Sequence, residues 1–394
     1  MKILIYSDFY KSSSGNGRII RDLLPFLEKG NEIAFVALGY DGYPIERKYR
    51  TYPTEIKDSR NYWAPDVLQY AIRDFHPDIV LSSNDFFTTR KIAFPLAQPL
   101  GHKWVHWGYL DGDPLDYSCR ESLKWVDYTL FFSDFAEREV RKVFPRISGE
   151  RLYPPINPET FKRLDKVKLR KQFKLEDKKV LVTCGRNQQR KNIPILLDAM
   201  VDIVKKMPEV RLILASTSLT KTTEDVEDGF DLDRFIQDRG LDNYVINLGR
   251  DVKIPISDKL LNVQYNLSDL MVHPAWGEGF SLPIAEAGLC EVPTLGVDHS
   301  AVTEVVGKGG MVIPWRAYAY AMNGIRYHLC HPDDLTKAII DLLNKPNKLH
   351  EMGIEARKFA ESISPKVQAE KMLEIFERVL KDDIKSLERQ HLNL

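Results

Sequence analysis

The chain has little of several things that mark whole classes of protein. Cysteine is scarce, at four in 394 residues. Cys119, Cys184, Cys290 and Cys330 are widely spaced and form no Cys-x-x-Cys pair, which excludes a disulfide framework or a cysteine zinc site and fits a reducing compartment. Net charge is absent too, with 56 Lys and Arg against 56 Asp and Glu. Proteins that wrap nucleic acid or lie on anionic lipid carry a basic excess, so no nucleic-acid partner is expected. Long apolar runs are missing. Residues 128–132 form one of the longest, far below the roughly 18 residues that a spanning helix needs. The start, MKILIYSDFY, is too short in apolar residues for a signal-peptide core. The expectation is a cytoplasmic protein with no transmembrane segment.

What is present is ordinary globular material, 43% hydrophobic and 28% charged, and long enough for two domains at about 150 residues each. Short apolar runs alternate with longer stretches of helical periodicity, the pattern of a parallel sheet wound with helices. The pattern occurs twice. Strands are expected at residues 2–6, 32–38, 78–81, 104–107 and 128–132, with a helix carrying Ile19, Ile20, Leu23, Leu24 and Leu27 on its buried face. The proline-dense segment Tyr153-Pro-Pro-Ile-Asn-Pro158 continues neither helix nor central strand and reads as a hinge. Beyond it, strands are expected at 180–184, 211–215, 244–248, 270–273 and 294–297. The predicted organisation is α/β, with a domain over 1–157, a second over 158–364, and a C-terminal amphipathic helix over 365–394 packing back on the first. The basic stretch 161–180 reads as a solvated helix with a thin apolar stripe of Leu164, Val167 and Phe173. A phosphate or peripheral membrane contact is the alternative reading.

Three places carry candidate chemistry. The segment from His273 to Cys290 leaves a strand, passes Gly277 and Gly279, and enters a helix near Ser281. Ser281 is expected as the N-cap and Pro283 fits the first turn, so the helix N-terminus presents N–H groups to an anionic or hydroxyl-rich ligand. Glu278 and Glu286 flank this turn and are expected about 10 Å or more apart at the helical rise. That is too far for a close acid and nucleophile pair, and suits two ends of an extended ligand; for Glu286, simple stabilisation of the helix dipole is the alternative. Second, Arg186 and Lys191 stand in a polar turn after a strand. They suit a diphosphate, although a solvated turn would look the same. Third, the loop Ser12-Ser-Ser-Gly-Asn-Gly-Arg18, with Gly15, Asn16 and Gly17, resembles the start of a dinucleotide fingerprint. Ile20 replaces its third glycine, and only Asp41 supports a nicotinamide reading.

Together these residues resemble the retaining nucleotide-sugar glycosyltransferases of family 4, which have the GT-B fold. The carriers are Glu278 and Glu286 spaced around Gly-Phe-Ser-Leu-Pro, Gly15 and Gly17 after the first strand, Ser133-Asp-Phe-Ala opening a helix, the Tyr-Pro-Pro-Ile-Asn157 hinge, Arg186 and Lys191, and Glu304. The resemblance implies two Rossmann-like domains facing a donor cleft. It implies Glu286 on the ribose hydroxyls, Arg186 and Lys191 on the diphosphate, and Glu278 with the N–H groups of Gly279, Phe280, Ser281 and Leu282 on the transferred sugar. Gly15, Asn16 and Gly17 would close over it from the first domain. No metal and no other cofactor is implied. The partners implied are a nucleotide sugar and a glycan or glycoconjugate acceptor, for a monomer or homodimer.

Two departures accompany the resemblance. Many relatives place a histidine where Asp111 stands, and His106 falls inside a strand where a core role is favoured over a catalytic one. Asp111-Gly-Asp113 matches a metal-binding Asp-x-Asp only superficially. The aromatic-rich stretch 315–330 is an insertion whose use is open. For the donor, Asp251 and Val252 follow a strand near the expected base, and a carboxylate at Asp251 matches the adjacent N–H donors of guanine. With the frequency of mannosyltransferases in the family, this favours GDP-mannose over UDP-glucose. An epimerase or phosphorylase on the same fold, or a non-catalytic nucleotide-sugar-binding protein, are the alternatives.

Overall fold

A computed structural model describes residues 1–43, 48–54, 62–216, 229–247, 256–321 and 324–381. The chain divides into two compact units. The first comprises Met1–Leu110, Pro114–Pro155 and Pro365–Leu394, and the second Asp111–Asp113 and Ile156–Ser364.

The first unit is built on seven strands: β1 (Lys2–Asp8), β2 (Glu32–Leu38), β3 (Arg50–Pro53), β4 (Ile79–Asp85), β5 (Lys103–Tyr109), β6 (Tyr128–Phe131) and β7 (Gly149–Arg151). Their order is β3-β2-β1-β4-β5-β6-β7, and neighbouring strands run parallel. The central strands read as nearly unbroken apolar runs because helices cover both faces of a parallel sheet, and β1 is buried from Ile3 through Ser7. The helix Gly15–Leu27 buries Ile19, Ile20, Leu23, Leu24 and Leu27 as its periodicity required. It packs against the helix Pro365–Lys381, and Arg378 on the latter pairs with Glu150. The rest of the predicted C-terminal helix lies outside the described residues.

The Gly15–Gly17 segment corrects an expectation. It is the first turn of the helix and not an open loop, with Ser14 as N-cap accepting from Gly17 N at 3.0 Å. Gly17 is tightly packed, since a Cβ there would meet the Phe9 carbonyl. Gly15 is exposed, and half-buried Asn16 donates to the Tyr109 hydroxyl at 3.4 Å. The helix Asp134–Val143 starts as its sequence announced, with Ser133 accepting from Ala136 N at 3.1 Å. Acidic Asp134 and Glu137 lie in its first turn and Arg141 and Lys142 in its last, each favourable to the helix dipole.

His106 lies in β5 with no exposed surface. Its Nδ1 is 2.8 Å from Ser82 Oγ. That hydroxyl accepts from Trp104 Nε1 at 2.7 Å, which leaves its own proton for the ring. Burial pushes the imidazole down to about 3, so it is neutral when folded. The unfolded chain takes up a proton below about 6.5 while the folded chain does not, so stability is full above that pH and is lost as pH falls towards 3. By pH 4 this one residue should lower stability by about 3 kcal/mol. Urea melts at pH 7 and pH 4 should show a shallower acid decline for His106→Leu than for the wild type; an equal decline would contradict this account.

The second unit has a six-stranded sheet of β8 (Lys179–Cys184), β9 (Val210–Ala215), β10 (Val245–Asn247), β11 (Leu270–His273), β12 (Thr294–Val297) and β13 (Gly310–Ile313). The order is β10-β9-β8-β11-β12-β13, again parallel between neighbours. Its core joins Leu181, Leu212, Leu214, Leu270, Val272 and Leu295 to the apolar faces of the helices Ile193–Lys206 and Pro332–Leu343. The aromatic insertion is an antiparallel hairpin of β14 (Ala317–Tyr320) and β15 (Arg326–Leu329). The basic stretch differs from its prediction. Val167, expected in the buried stripe, is 81% exposed. Lys166 and Arg170 are not free to recruit phosphate or lipid, because they pair with Asp269 at 2.9 and 2.6 Å. They fasten the helix Lys166–Gln172 to the second unit.

Candidate functional site

In the second sheet the strand order reverses between β8 and β11. Loops leaving the carboxyl ends of strands at such a point frame the ligand crevice of open α/β sheets. Both sequence segments with the strongest chemistry are those loops. Residues 185–192 leave β8, and Asn192, at φ 51°, turns the chain into the helix Ile193–Lys206. Residues 274–281 leave β11 and enter the helix Leu282–Leu289. Trp276 N donates to the Arg190 carbonyl at 2.7 Å and laces the two loops together.

Glu278 is the centre of the site and is only 4% exposed. Lys191 forms an ion pair with its Oε1, and Arg190 Nη1 donates to Oε2 at 2.9 Å. His273 Nε2 is 3.1 Å from Oε1. A carboxylate can only accept, so that nitrogen carries the proton. The Glu278 N–H donates to Ser300 Oγ at 2.9 Å. Arg190 continues the network, donating to the Gly277 carbonyl at 3.2 Å and lying 3.6 Å from Asp111.

These contacts decide the charge states. Burial alone would raise the Glu278 carboxyl, but the Lys191 and Arg190 charges and the His273 hydrogen bond outweigh it and hold it well below the usual carboxylate range. Burial and the neighbouring Arg190 pull Lys191 down, against the Glu278 charge. Burial lowers His273 despite Glu278, so it is a neutral donor. The result is a desolvated, fully ionised carboxylate held by two cations and an imidazole. Such a group is fixed in place before any ligand arrives.

Ser281 differs from its expected role. It sits at the N-cap position with φ 73°, a left-handed conformation, and its side chain caps nothing. Its hydroxyl instead lies 3.1 Å from His273 Nε2. A non-glycine residue in this region costs on the order of 1 kcal/mol and persists where surroundings over-determine it. Pro283 stands in the first turn as expected. Glu286 is 1% exposed and accepts from the Tyr265 hydroxyl at 2.9 Å.

Other predicted residues fall as follows. Gly279 and Phe280 are buried and Leu282 is half-buried at the helix entrance. Arg186 is exposed on the β8 loop, whereas Lys191 is turned inward onto Glu278. The two therefore differ in surroundings, one exposed and one in the Glu278 ion pair. Asp111 packs within the second unit, its carbonyl against Gly277. Asp251 and Val252 lie outside the described residues. His106 and Gly15 to Gly17 belong to the first unit. Reading the sequence missed Arg190, His273, Ser300 and Tyr265. Arg190 had a signal, a second cation beside Lys191 in a polar turn after a strand; the other three had none.

With this geometry in view, comparison with known proteins is decisive for the second unit. Residues 165–359 match the family described as Glycosyl transferases group 1. These residues form a glycosyl transferases group 1 domain. O-antigen chain mannosyltransferase B of Escherichia coli is 23% identical over 272 residues, 67% of this chain and 62% of its own length. Human alpha-1,3/1,6-mannosyltransferase ALG2 is 23% identical over 316 residues, 77% of this chain and 66% of its own. The chain thus spans less than two thirds of the length of these relatives. Among solved structures, sucrose-phosphate synthase from Thermosynechococcus elongatus superposes with a TM-score of 0.78 at 17% identity, covering 96% of this chain and 99% of that one. Anabaena HepE in complex with UDP-glucose gives 0.71 at 18% identity, covering 96% and 100%. The fold of the chain, which carries this glycosyl transferases group 1 domain, is GT-B, two Rossmann-like α/β units. No described helix is long and apolar enough to cross a membrane.

Proposed function

We propose that the protein is a retaining glycosyltransferase of family 4 that moves a hexose from a nucleotide diphosphate sugar to a hydroxyl of a glycan or glycoconjugate, acting in the cytoplasm. The Glu278 network carries this reading: a buried, ionised carboxylate fixed by Lys191, Arg190 and His273 at the β8 and β11 loop ends. Glu278 holds hydroxyls of the transferred sugar, and the N-terminus of the helix Leu282–Leu289 faces the adjoining phosphate oxygens. Glu286, oriented by Tyr265, takes the ribose hydroxyls. Arg186 supplies the exposed guanidinium for the diphosphate, with Lys191 shared between phosphate and Glu278. The leaving diphosphate is neutralised by these cations and the helix end, without a metal at the phosphates.

Glu278 is saturated by cationic partners, so it stabilises charge and positions sugar better than it attacks carbon. Attack therefore occurs on the leaving-group face, the acceptor hydroxyl giving its proton to the departing diphosphate oxygen. Asp111, beside Arg190, orients the acceptor. The donor favoured is GDP-mannose. Mannose agrees with the names of the two relatives above, and guanine rests on the carboxylate at Asp251. UDP-glucose, bound in the HepE complex, is the competing donor.

Radiolabelled GDP-mannose and UDP-glucose, each offered with simple glycoside acceptors, test the reading. Mannose should be transferred or slowly hydrolysed with the anomeric configuration kept, and added Mg2+ should leave the rate unchanged. Turnover of UDP-glucose alone would reverse the donor assignment, and an inverted product would refute the mechanism.

A further inference from the structure

Behind the loop that carries Glu278, three side chains far apart in sequence converge: Asp113, His299 and His328. All belong to the second unit. Asp113 precedes no strand of its own, but Arg326 N donates to its carbonyl at 2.6 Å and ties it to β15. His299 follows β12 and His328 lies in β15. Asp113 Oδ1 is 3.9 Å from His299 Nε2 and 3.9 Å from His328 Nδ1, and the three ligand atoms lie within 4.8 Å of one another. The two imidazole rings are 3.7 Å apart between centroids.

Hydrogen bonding does not account for this convergence. A separation of 3.9 Å is beyond hydrogen-bond reach. Among the described residues, Asp113 Oδ1 and His328 Nδ1 are buried and have no hydrogen-bond partner, and the His328 side chain is only 7% exposed. Buried polar atoms in native folds are almost always satisfied, so two orphans aimed at one point call for a third body. The other carboxylate oxygen, Oδ2, accepts from Arg326 Nη2 at 2.7 Å. That contact orients the carboxylate and leaves Oδ1 directed at the imidazoles, the arrangement by which outer partners aim a metal ligand.

We propose that Asp113, His299 and His328 bind a divalent transition-metal ion of borderline softness, Zn2+ foremost. Two imidazoles and one carboxylate are ligands that Zn2+ takes at about 2.0–2.2 Å, which sets ligand atoms about 3.3–3.5 Å apart in a tetrahedron with water in the fourth position. The two 3.9 Å separations from Asp113 close to this with shifts of about half an ångström, while the imidazole rings, 3.7 Å apart between centroids, must part by about 1.5 Å to admit the ion between them. Mg2+ and Ca2+, which prefer all-oxygen shells, are not matched. The site is separate from the donor phosphates, and its formation does not depend on the proposed transfer reaction. Its effect is on the Glu278 loop. His328 N donates to the Trp276 carbonyl at 3.0 Å, and Ser300, next to His299, holds Glu278 N. An ion here would clamp the hairpin and the β12 loop around residues 276–278.

The test uses the purified, untagged full-length chain, stripped with a chelator and titrated calorimetrically with ZnCl2 alone. One ion should bind per chain. His299→Gln and His328→Gln should each weaken binding roughly 10- to 100-fold or abolish it, while circular dichroism of the metal-free variants matches the wild type. Absence of stoichiometric binding by the wild type, or undiminished binding in both variants, would overturn the proposal. If the variants do not fold, Co2+ on the wild type decides. Contact-shifted imidazole N–H resonances from two histidines are expected, and none from any histidine would overturn it.

Discussion

Replacing Glu278 by glutamine is expected to lower kcat for sugar transfer about 10²- to 10³-fold while nucleotide binding survives. The amide keeps the shape and one acceptor oxygen, so the loop retains its path and the bond its backbone N–H donates to Ser300. What it loses is the charge that balances Arg190 and Lys191 inside a dry pocket. Two cations are then left with less compensation, so stability should fall by about 3 kcal/mol, the lower end for breaking a buried pair. The pH dependence gives a second handle. The Glu278 carboxyl is held below its usual value when folded, so its stabilisation is full above about 4.5 and is lost as pH falls below that. The glutamine variant lacks this component. Chemical denaturation at pH 4 and 7, with single-turnover assays on the same preparation, reads all three effects. Unimpaired transfer by a folded Glu278→Gln protein would remove Glu278 from the chemistry.

Gly277→Ala is expected to damage activity more than its single methyl would imply. A Cβ at that position would overlap the Asp111 carbonyl, a backbone atom that cannot swing away as a side chain would. The loop is also pinned on both sides, with Trp276 N on the Arg190 carbonyl and Glu278 N on Ser300. Either residues 111–113 or residues 276–278 must move, and the second shift drags Glu278 off its cations. Overpacking of this kind costs about 1–3 kcal/mol. Gly30→Ala is the fitting control, since no atom of the described residues lies within 4 Å of its added methyl and its φ of 75° is what opposes the change. Thermal melts should show the larger loss at Gly277, and transfer should fall at least tenfold there only, as expected for a displaced positioning group. Equal behaviour of the two variants would mean that the close approach does not matter.

Much of the fold was readable because parallel strands carry continuous apolar runs. Residues 2–6, 270–273 and 294–297 are strands in the structure much as periodicity placed them. The hairpin β14–β15 and the short strands β3, β7 and β13 were not anticipated, since three or four half-exposed residues carry no clear alternation. In the site, Glu278 and Lys191 stood out because a charge between glycines or in a turn after a strand is conspicuous. That they grip one another was hidden, as pairing depends on two loops meeting across neighbouring strands. Ser281 was misread because the residue type favours capping while the backbone is left-handed. Asp113, His299 and His328 share no local spacing, so only the folded chain brings them together.

The three residues Asp111–Asp113 have a wider consequence. They stand in sequence between two segments of the first unit, yet belong to the second. The second unit is therefore not a cassette with a single point of attachment. A fragment cut at Ile156 and Ser364 would keep Arg190, Gly277 and Arg326 but lose the carboxylates and carbonyl they pack against. Exchange of the second unit between related chains by one crossover at the proline-rich hinge would carry the same mismatch. The portable piece is two segments long, and any recombination that respects the fold must carry residues 111–113 along with it.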